Sequence, residues 1–374
     1  MVESLPHHCF SFLTEVRISP TNMKYLIVQQ WNSTKGNHAG MVHMCDMLVE
    51  HYPDQYIKIE KSQPNRPAPR KNKIIRKLMD SYDRRQYAQA YFKEYLQICQ
   101  SMFDKLKAGD EVFLLEYNWP DTTQFELACY IRKNFPGVRI YALSHITPSY
   151  FSRHKGIKER ILKWDIPIDK QLTLGSSLSE YFVSLGVKPE KVSTGFHYVD
   201  SYYYHKNPKD IHESDKLTII TMGALQRDYG MLAEIVKRCP NVNWIICRGR
   251  KTEVDEYFKG MDNVSLKGFL AEDELRHQMD IADASLNVLE DTVGSNVITT
   301  SMAMGLVVIV SNVGSIHDYC DDNNAVFCEN DVEDFVAKIN FISAEMIPVM
   351  RLNSLSKIEK ISISKVNIWF NSLK

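Results

Sequence analysis

The chain is 374 residues long, with 45 basic against 46 acidic side chains and 44% hydrophobic residues, enough apolar material for two separate cores. A net charge of −1 supplies no global field to draw it onto nucleic acid, and no apolar run approaches the roughly 20 residues that span a bilayer. The eight cysteines form no C-x-x-C pair, which argues for buried thiols rather than a disulfide framework or a zinc site.

Residues 1–22 have neither the basic start nor the unbroken apolar stretch of a secretory signal, so the expected location is cytoplasmic and the segment reads as an extension outside the core. From Met23 onward, short β-rich runs alternate with longer amphipathic segments, the pattern of an α/β protein with parallel strands joined by crossover helices. A first unit, 23–205, is expected to have strands at Tyr25–Gln29, Glu111–Glu116, Arg139–Leu143 and Gln171–Leu174. Its helices are expected at Met41–His51, Asn72–Asp104 and Thr122–Asn134. The polar, aperiodic stretch 206–216 reads as a linker. The pattern then restarts in a second unit, 217–353, with strands at Leu217–Met222, Val242–Cys247, Val264–Leu266, Ala284–Val288, Val307–Ser311 and Ala325–Cys328 and a helix at Met231–Arg238. Residues 354–374 read as a closing helix with two buried faces.

Doubly wound sheets bind ligands beyond the carboxyl ends of their strands, so the loops there hold the candidate site. After the first strand comes Trp31–Gly40, a loop opening a helix, in which Gly36, Asn37 and His38 are the candidate contacts. His145 follows the strand Arg139–Leu143. In the second unit, Gly223 and Arg227 lie in the turn Met222–Gly230, Arg248 and Arg250 follow the next strand, and Gly268 and Phe269 follow the third. Gly294-Ser295-Asn296 opens a helix and so presents backbone N–H groups to a diphosphate; Ser295 or Asn296 equally well caps that helix. The basic stretch Arg66–Arg85, with Tyr82 and Tyr87 interleaved, is either a solvated helix face or a contact for lipid-linked phosphate at the inner face of a membrane.

The block from Asn263 to Tyr319 resembles, in order and spacing, the nucleotide-sugar domain of the family 4 (group 1) glycosyltransferases. Its parts are Leu266-Lys-Gly-Phe269, Glu272-Asp-Glu-Leu275, Ala282-Asp283, Gly294-Ser-Asn296, Ala303-Met-Gly305 and Val313-Gly314. The resemblance implies the GT-B fold: two Rossmann-like doubly wound domains facing each other across a cleft, with a C-terminal helix crossing back to the first. It implies transfer of a sugar from a nucleotide-sugar donor to a glycan or lipid-linked acceptor, with retention of configuration and without a metal or other cofactor, in surface-polysaccharide assembly. By the same resemblance, Gly223, Arg227, Arg248 and Arg250 meet the diphosphate, Gly268 and Phe269 the base, and His145 the transferred sugar. His197-Tyr-Val-Asp200 resembles the turn that ends the first domain, with Asp200 structural.

The chain departs from the family at four positions, in two pairs. Thr292 and Thr300 stand where the family has a pair of glutamates, and a hydroxyl does not accept hydrogen bonds as a carboxylate does. Ala224 and Tyr229 stand where it has a basic pair. Asp291, next to Glu290, is the candidate to replace the first glutamate, which makes His145 and Asp291 the candidate catalytic residues. The departures leave two rival readings: a catalytically silent GT-B binding protein, and a nucleotide-sugar epimerase of the same fold.

Overall fold

The computed structural model describes residues 22–32, 35–62, 73–118, 122–206, 216–223 and 227–373. Nearly all of the expected extension 1–22, residues 207–215 of the expected linker, Ala224 and the start of the Arg66–Arg85 stretch lie outside them.

The first domain opens with β1 (Lys24–Gln30), α1 (Met41–His51), β2 (Tyr56–Ser62), α2 (Lys73–Ile98) and α3 (Gln100–Phe103). It continues through β3 (Glu111–Leu114), α4 (Gln124–Asn134), β4 (Arg139–Ser144), α5 (Pro148–Ser152), α6 (Ile157–Asp165), β5 (Lys170–Thr173), α7 (Ser176–Ser184) and β6 (Val192–Thr194). Its six strands are all parallel, in the order β2-β1-β3-β4-β5-β6. Both faces of the sheet are covered. Side chains alternate along a strand, so Tyr25 and Ile27 of β1 enter a core with Tyr95, Leu127 and Ile131, while Leu26 and Val28 enter another with Met44, Cys45 and Phe370.

The second domain runs β7 (Thr218–Thr221), α8 (Tyr229–Arg238), β8 (Asn243–Cys247), β9 (Val264–Lys267), α9 (Glu272–Asp280) and β10 (Ala284–Asn287). After these come α10 (Asn296–Ala303), β11 (Val307–Ser311), β12 (Ala325–Cys328), α11 (Val332–Phe341) and α12 (Met346–Ile358). Its parallel order is β12-β11-β10-β7-β8-β9. Here the alternation divides Val307 and Ile309 from Val308 and Val310, each pair joining the core on its own side of the sheet.

The last segment is two helices rather than the single expected one. Ser362 adopts an extended conformation and ends the run, so that α12 packs on α10 and β11 of the second domain and α13 (Ile363–Ser372) returns to the first. One straight helix has no way to serve both cores. On α13, Val366 and Phe370 are buried and Ile368 is exposed, giving one buried face instead of two. The Phe370 ring lies 4.4 Å from that of Phe113, and Tyr141 Oη donates to the Leu373 carbonyl at 2.6 Å.

Candidate active site

In each sheet the chain winds outward from one place in both directions. In the first, that place is between β1 and β3; in the second, between β7 and β10. A crevice opens at such a switch point because the two flanking loops leave in opposite directions. The loops at the carboxyl ends of the two sheets meet each other, which puts both crevices on one cleft.

The meeting is specific. Asp291, after β10, accepts a hydrogen bond from Ser149 N at 2.9 Å through Oδ2 and one from Thr292 N at 2.8 Å through Oδ1. Ser149 is in the first turn of α5, where the carboxylate takes a free backbone N–H of a first-domain helix, and Glu290 beside it pairs with Arg153 at the end of that helix. Asp318 repeats the device on α7, accepting from Ser176 N at 2.6 Å and Ser176 Oγ at 2.9 Å. The N-cap residue of α7 is Gly175, which has no side chain to offer. A Cβ there would lie 2.4 Å from Ser315 Cβ, so the closeness of the domains demands glycine and the cap comes from across the cleft. A Cβ on Gly314 would stand 2.1 Å from the Thr292 carbonyl oxygen, at a backbone φ of +56°.

At the β7–β10 switch point, Arg227 bridges to Leu289. Its Nε and Nη1 are buried and have no hydrogen-bond partner among the described residues, and burial pushes its pKa down to about 10. A Cβ placed on Gly223 would lie 3.2 Å from Arg227 Nη2 and 3.1 Å from a methyl of Val297, which locates the guanidinium beside the first turn of α10. Ser295 caps that helix, its Oγ accepting from Ile298 N at 3.3 Å, so the capping role falls to Ser295 rather than Asn296. Asn296 Oδ1 is buried without a partner among the described residues.

Arg248 and Arg250 differ from Arg227 in having partners. Asp255 holds the Arg248 guanidinium, with Nη2 to Oδ2 at 3.2 Å, and Arg250 lies over the Phe269 ring at 4.7 Å. Gly268 faces Arg248, so these four residues form one surface at the ends of β8 and β9, with Phe269 half exposed.

On the facing wall, His145 Nε2 lies 3.2 Å from the buried Glu116 carboxylate. Burial alone would depress the imidazole pKa, but the Glu116 charge and hydrogen bond outweigh it and hold it above its ordinary value. His197 has the opposite fate. Burial, and after it the electrostatic interaction with His145, push it down to about 3, even with the Asn296 amide and the Gly294 backbone beside it. Gly294 is packed flat against Tyr319, where a Cβ would meet the ring at 2.3 Å, and the Tyr319 hydroxyl accepts from His197 N at 2.8 Å.

Thr292 and Thr300 are both buried with their hydroxyls engaged locally, Thr292 Oγ1 by Gly294 N at 3.1 Å and Thr300 Oγ1 by the Val297 carbonyl at 3.2 Å. Gly36 sits in an exposed turn at φ +82° with open space around it, and the Asn37 side chain accepts from Ala39 N at 2.6 Å. His38 points elsewhere: its Nδ1 lies 3.4 Å from Asp200 and its ring is stacked on Tyr203. Asp200 accepts from the N–H groups of Tyr202 and Tyr203 as well, in keeping with a structural role.

Three residues of the candidate site escape sequence reasoning. Glu116 is a charged residue at the carboxyl end of a buried strand, which is a signal in itself. His197 and Asp318 come into the site only through the approach of the other domain, and no local pattern marks that.

Residues 217–345 match the family described as Glycosyl transferases group 1. No curated protein matches the chain. Among solved structures, a glycosyltransferase from Rickettsia africae is similar over 95% of this chain and 99% of its own at 11% identity and a TM-score of 0.63. Sucrose-phosphate synthase from Thermosynechococcus elongatus is similar over 94% and 98% at 12% identity and a TM-score of 0.69. HepE from Anabaena, solved with UDP and glucose, is similar over 94% and 98% at 11% identity and a TM-score of 0.65. With its two parallel sheets meeting at their carboxyl ends and its last helix returned to the first domain, the chain has the GT-B fold, and its residues 217–345 match the group 1 glycosyltransferases.

Proposed function

We propose that the protein transfers a sugar from a nucleoside diphosphate sugar to a glycan or lipid-linked acceptor in surface-polysaccharide assembly, with retention of configuration. The carrying observation is the half-buried Arg227, whose Nε and Nη1 are buried and unpartnered among the described residues and whose guanidinium stands beside the opening turn of α10. A buried charge without a counter-charge is costly, and a diphosphate supplies the counter-charge while the helix end supplies N–H donors. Cation and helix end then stabilise the departing nucleoside diphosphate in place of a metal ion.

Phe269, backed by Arg250, offers the nucleobase a flat face at the end of β9. The Gly36–Asn37 turn brings the first domain toward the donor from the open side of the cleft. His145, oriented by Glu116, is the contact to the transferred sugar in this reading. Asp291 acts as a positioning residue, since both carboxylate oxygens already hold backbone N–H groups. The acceptor assignment draws on the lipopolysaccharide outer core galactosyltransferase WaaB, similar over 94% of this chain at a TM-score of 0.64. No helix among the described residues is long and apolar enough to cross a membrane, and Arg84 and Arg85, exposed on α2, belong to the basic stretch proposed to touch its inner surface.

A second reading, a binding protein without transferase activity, is favoured by Thr292 and Thr300, whose hydroxyls are spent on backbone groups. Calorimetric titration with UDP, GDP and their sugars, followed by product analysis with and without acceptor, separates the readings. Binding with transfer supports the proposal, binding with neither transfer nor hydrolysis supports the second reading, and no binding of any nucleotide overturns the donor site.

A further inference from the structure

We infer that His38, His43 and Asp200 form a binding site for a divalent transition metal, Zn2+ by preference, at the hinge between the domains. Three ligand atoms, His38 Nδ1, His43 Nε2 and an Asp200 carboxylate oxygen, lie within 4.8 Å of one another. Asp200 Oδ2 is 3.0 Å from His43 Nε2 and 3.4 Å from His38 Nδ1. Two ligands about 2.0–2.1 Å from a tetrahedral ion stand about 3.3 Å apart, so the separations of both imidazoles from the Asp200 oxygen are close to those of a shared ion. An imidazole–carboxylate hydrogen bond accounts for the shorter distance, but the longer lies beyond the usual N–H···O range of about 2.7–3.2 Å.

The supports around the ligands are those a metal site needs. Asp200 Oδ1 accepts from Tyr202 N at 2.9 Å and Tyr203 N at 3.2 Å, which fixes the carboxylate and leaves Oδ2 directed at the two rings. The His38 ring is stacked on Tyr203 with centroids 3.7 Å apart and planes 6° from parallel, so its Nδ1 has one direction to face. His43 is fixed by its place in the first turns of α1. The His38 side chain is about one-third exposed, which leaves a path for the ion and room for a water as fourth ligand. Two imidazoles and one carboxylate match the preference of Zn2+, with Co2+ and Ni2+ as alternatives.

The metal would join three pieces of chain: the loop after β1, the helix α1 and the segment that leaves the first domain. Tyr203, which carries the His38 ring, donates from its hydroxyl to Asp273 of α9 at 2.6 Å, and Arg276 of α9 donates to its carbonyl at 3.0 Å. The ion would therefore act as a structural clasp on the hinge, and it takes no part in the proposed reaction at Arg227.

The test uses the full chain carrying His7→Ala and His8→Ala, which removes the other adjacent pair of histidines. Titration with Zn2+ is expected to show one equivalent bound at micromolar affinity or tighter, weakened at least about tenfold by His43→Ala and by His38→Gln. Zn2+ is expected to raise the melting temperature of the parent and not of either variant. The Co2+ form is expected to show the visible absorption of a four- or five-coordinate ion. Absence of saturable binding, or affinity unchanged in both variants, overturns the site. Circular dichroism checks each fold, and if His43→Ala fails to fold, the partly exposed His38→Gln decides alone. UDP binding measured in parallel reports separately on the donor site.

Discussion

Arg227 and Arg248 are both arginines at the carboxyl ends of neighbouring strands, yet their surroundings assign them different work. Arg248 is neutralised by Asp255, whereas Arg227 has buried nitrogens with nothing to bind among the described residues. Arg227→Met is expected to weaken nucleoside diphosphate binding about 10- to 150-fold, the worth of one charge-assisted hydrogen bond at about 1.5–3 kcal/mol. Arg248→Met should leave that affinity nearly unchanged. Because a buried unpaired charge destabilises the free protein, the melting temperature of unliganded Arg227→Met should hold or rise. A fall would mean that the arginine is a structural element. Glu116 offers a second measurement at this scale. The His145 pKa is raised in the folded state, so the pair stabilises the protein fully below the ordinary histidine value of about 6.5 and loses that contribution as pH rises through the folded pKa. Denaturant titrations of Glu116→Gln should show a deficit of about 1.5–3 kcal/mol at pH 5.5 that shrinks by pH 8.5. A gap independent of pH would show that His145 is neutral throughout.

Among the elements, those with long apolar stretches were legible in the sequence. Strands such as β1 and β11, buried on both faces, read as unbroken runs of Val, Ile and Leu. The edge strand β2, Tyr-Ile-Lys-Ile-Glu-Lys-Ser, mixes charge into its alternation, and β6 has three residues; neither carries that signal. The short α5, α6 and α7 carry no such signal either; α5 takes its cap from its own Thr147, whereas α7 depends on the other domain for its cap. For the candidate site, Ser295 was legible because its loop keeps the family spacing, and Arg227 because it is the one cation in the turn Met222–Gly230, whereas Glu116, His197 and Asp318 are joined to it only by the fold. The cap supplied to α7 is testable. Asp318→Ala removes two hydrogen bonds at a helix start, and the expected cost is about 0.5–2 kcal/mol. Ser176 N–H loses a partner that Gly175 cannot replace, so proteolysis or hydrogen exchange should show the start of α7 opening before the rest of the domain. Uniform protection across α7 in the variant would show that water caps it as well as the aspartate does.

For the molecule as a whole, the chain crosses between the domains twice, once at the segment around Asp200 and again between α12 and α13. The second crossing lends the first domain part of its core from residues at the far end of the sequence. Phe370 is fully buried against Phe113, with Val366 and Leu373 in the same cluster as Leu26 and Tyr141. Truncating a buried Phe costs about 3–5 kcal/mol, a large share of the 5–15 kcal/mol that stabilises a typical domain. Phe370→Ala is therefore expected to uncouple unfolding. The first domain should melt early, and the second, whose cores contain no residue of α13, should melt near its original temperature. UDP should then raise the upper transition, since Arg227 and α10 belong to the second domain, and have little effect on the lower. A single transition shifted as one would mean that the hydrogen bonds at Ser149 and Ser176, together with the contacts of Gly175 and Gly314, bind the domains more tightly than the closing helix does.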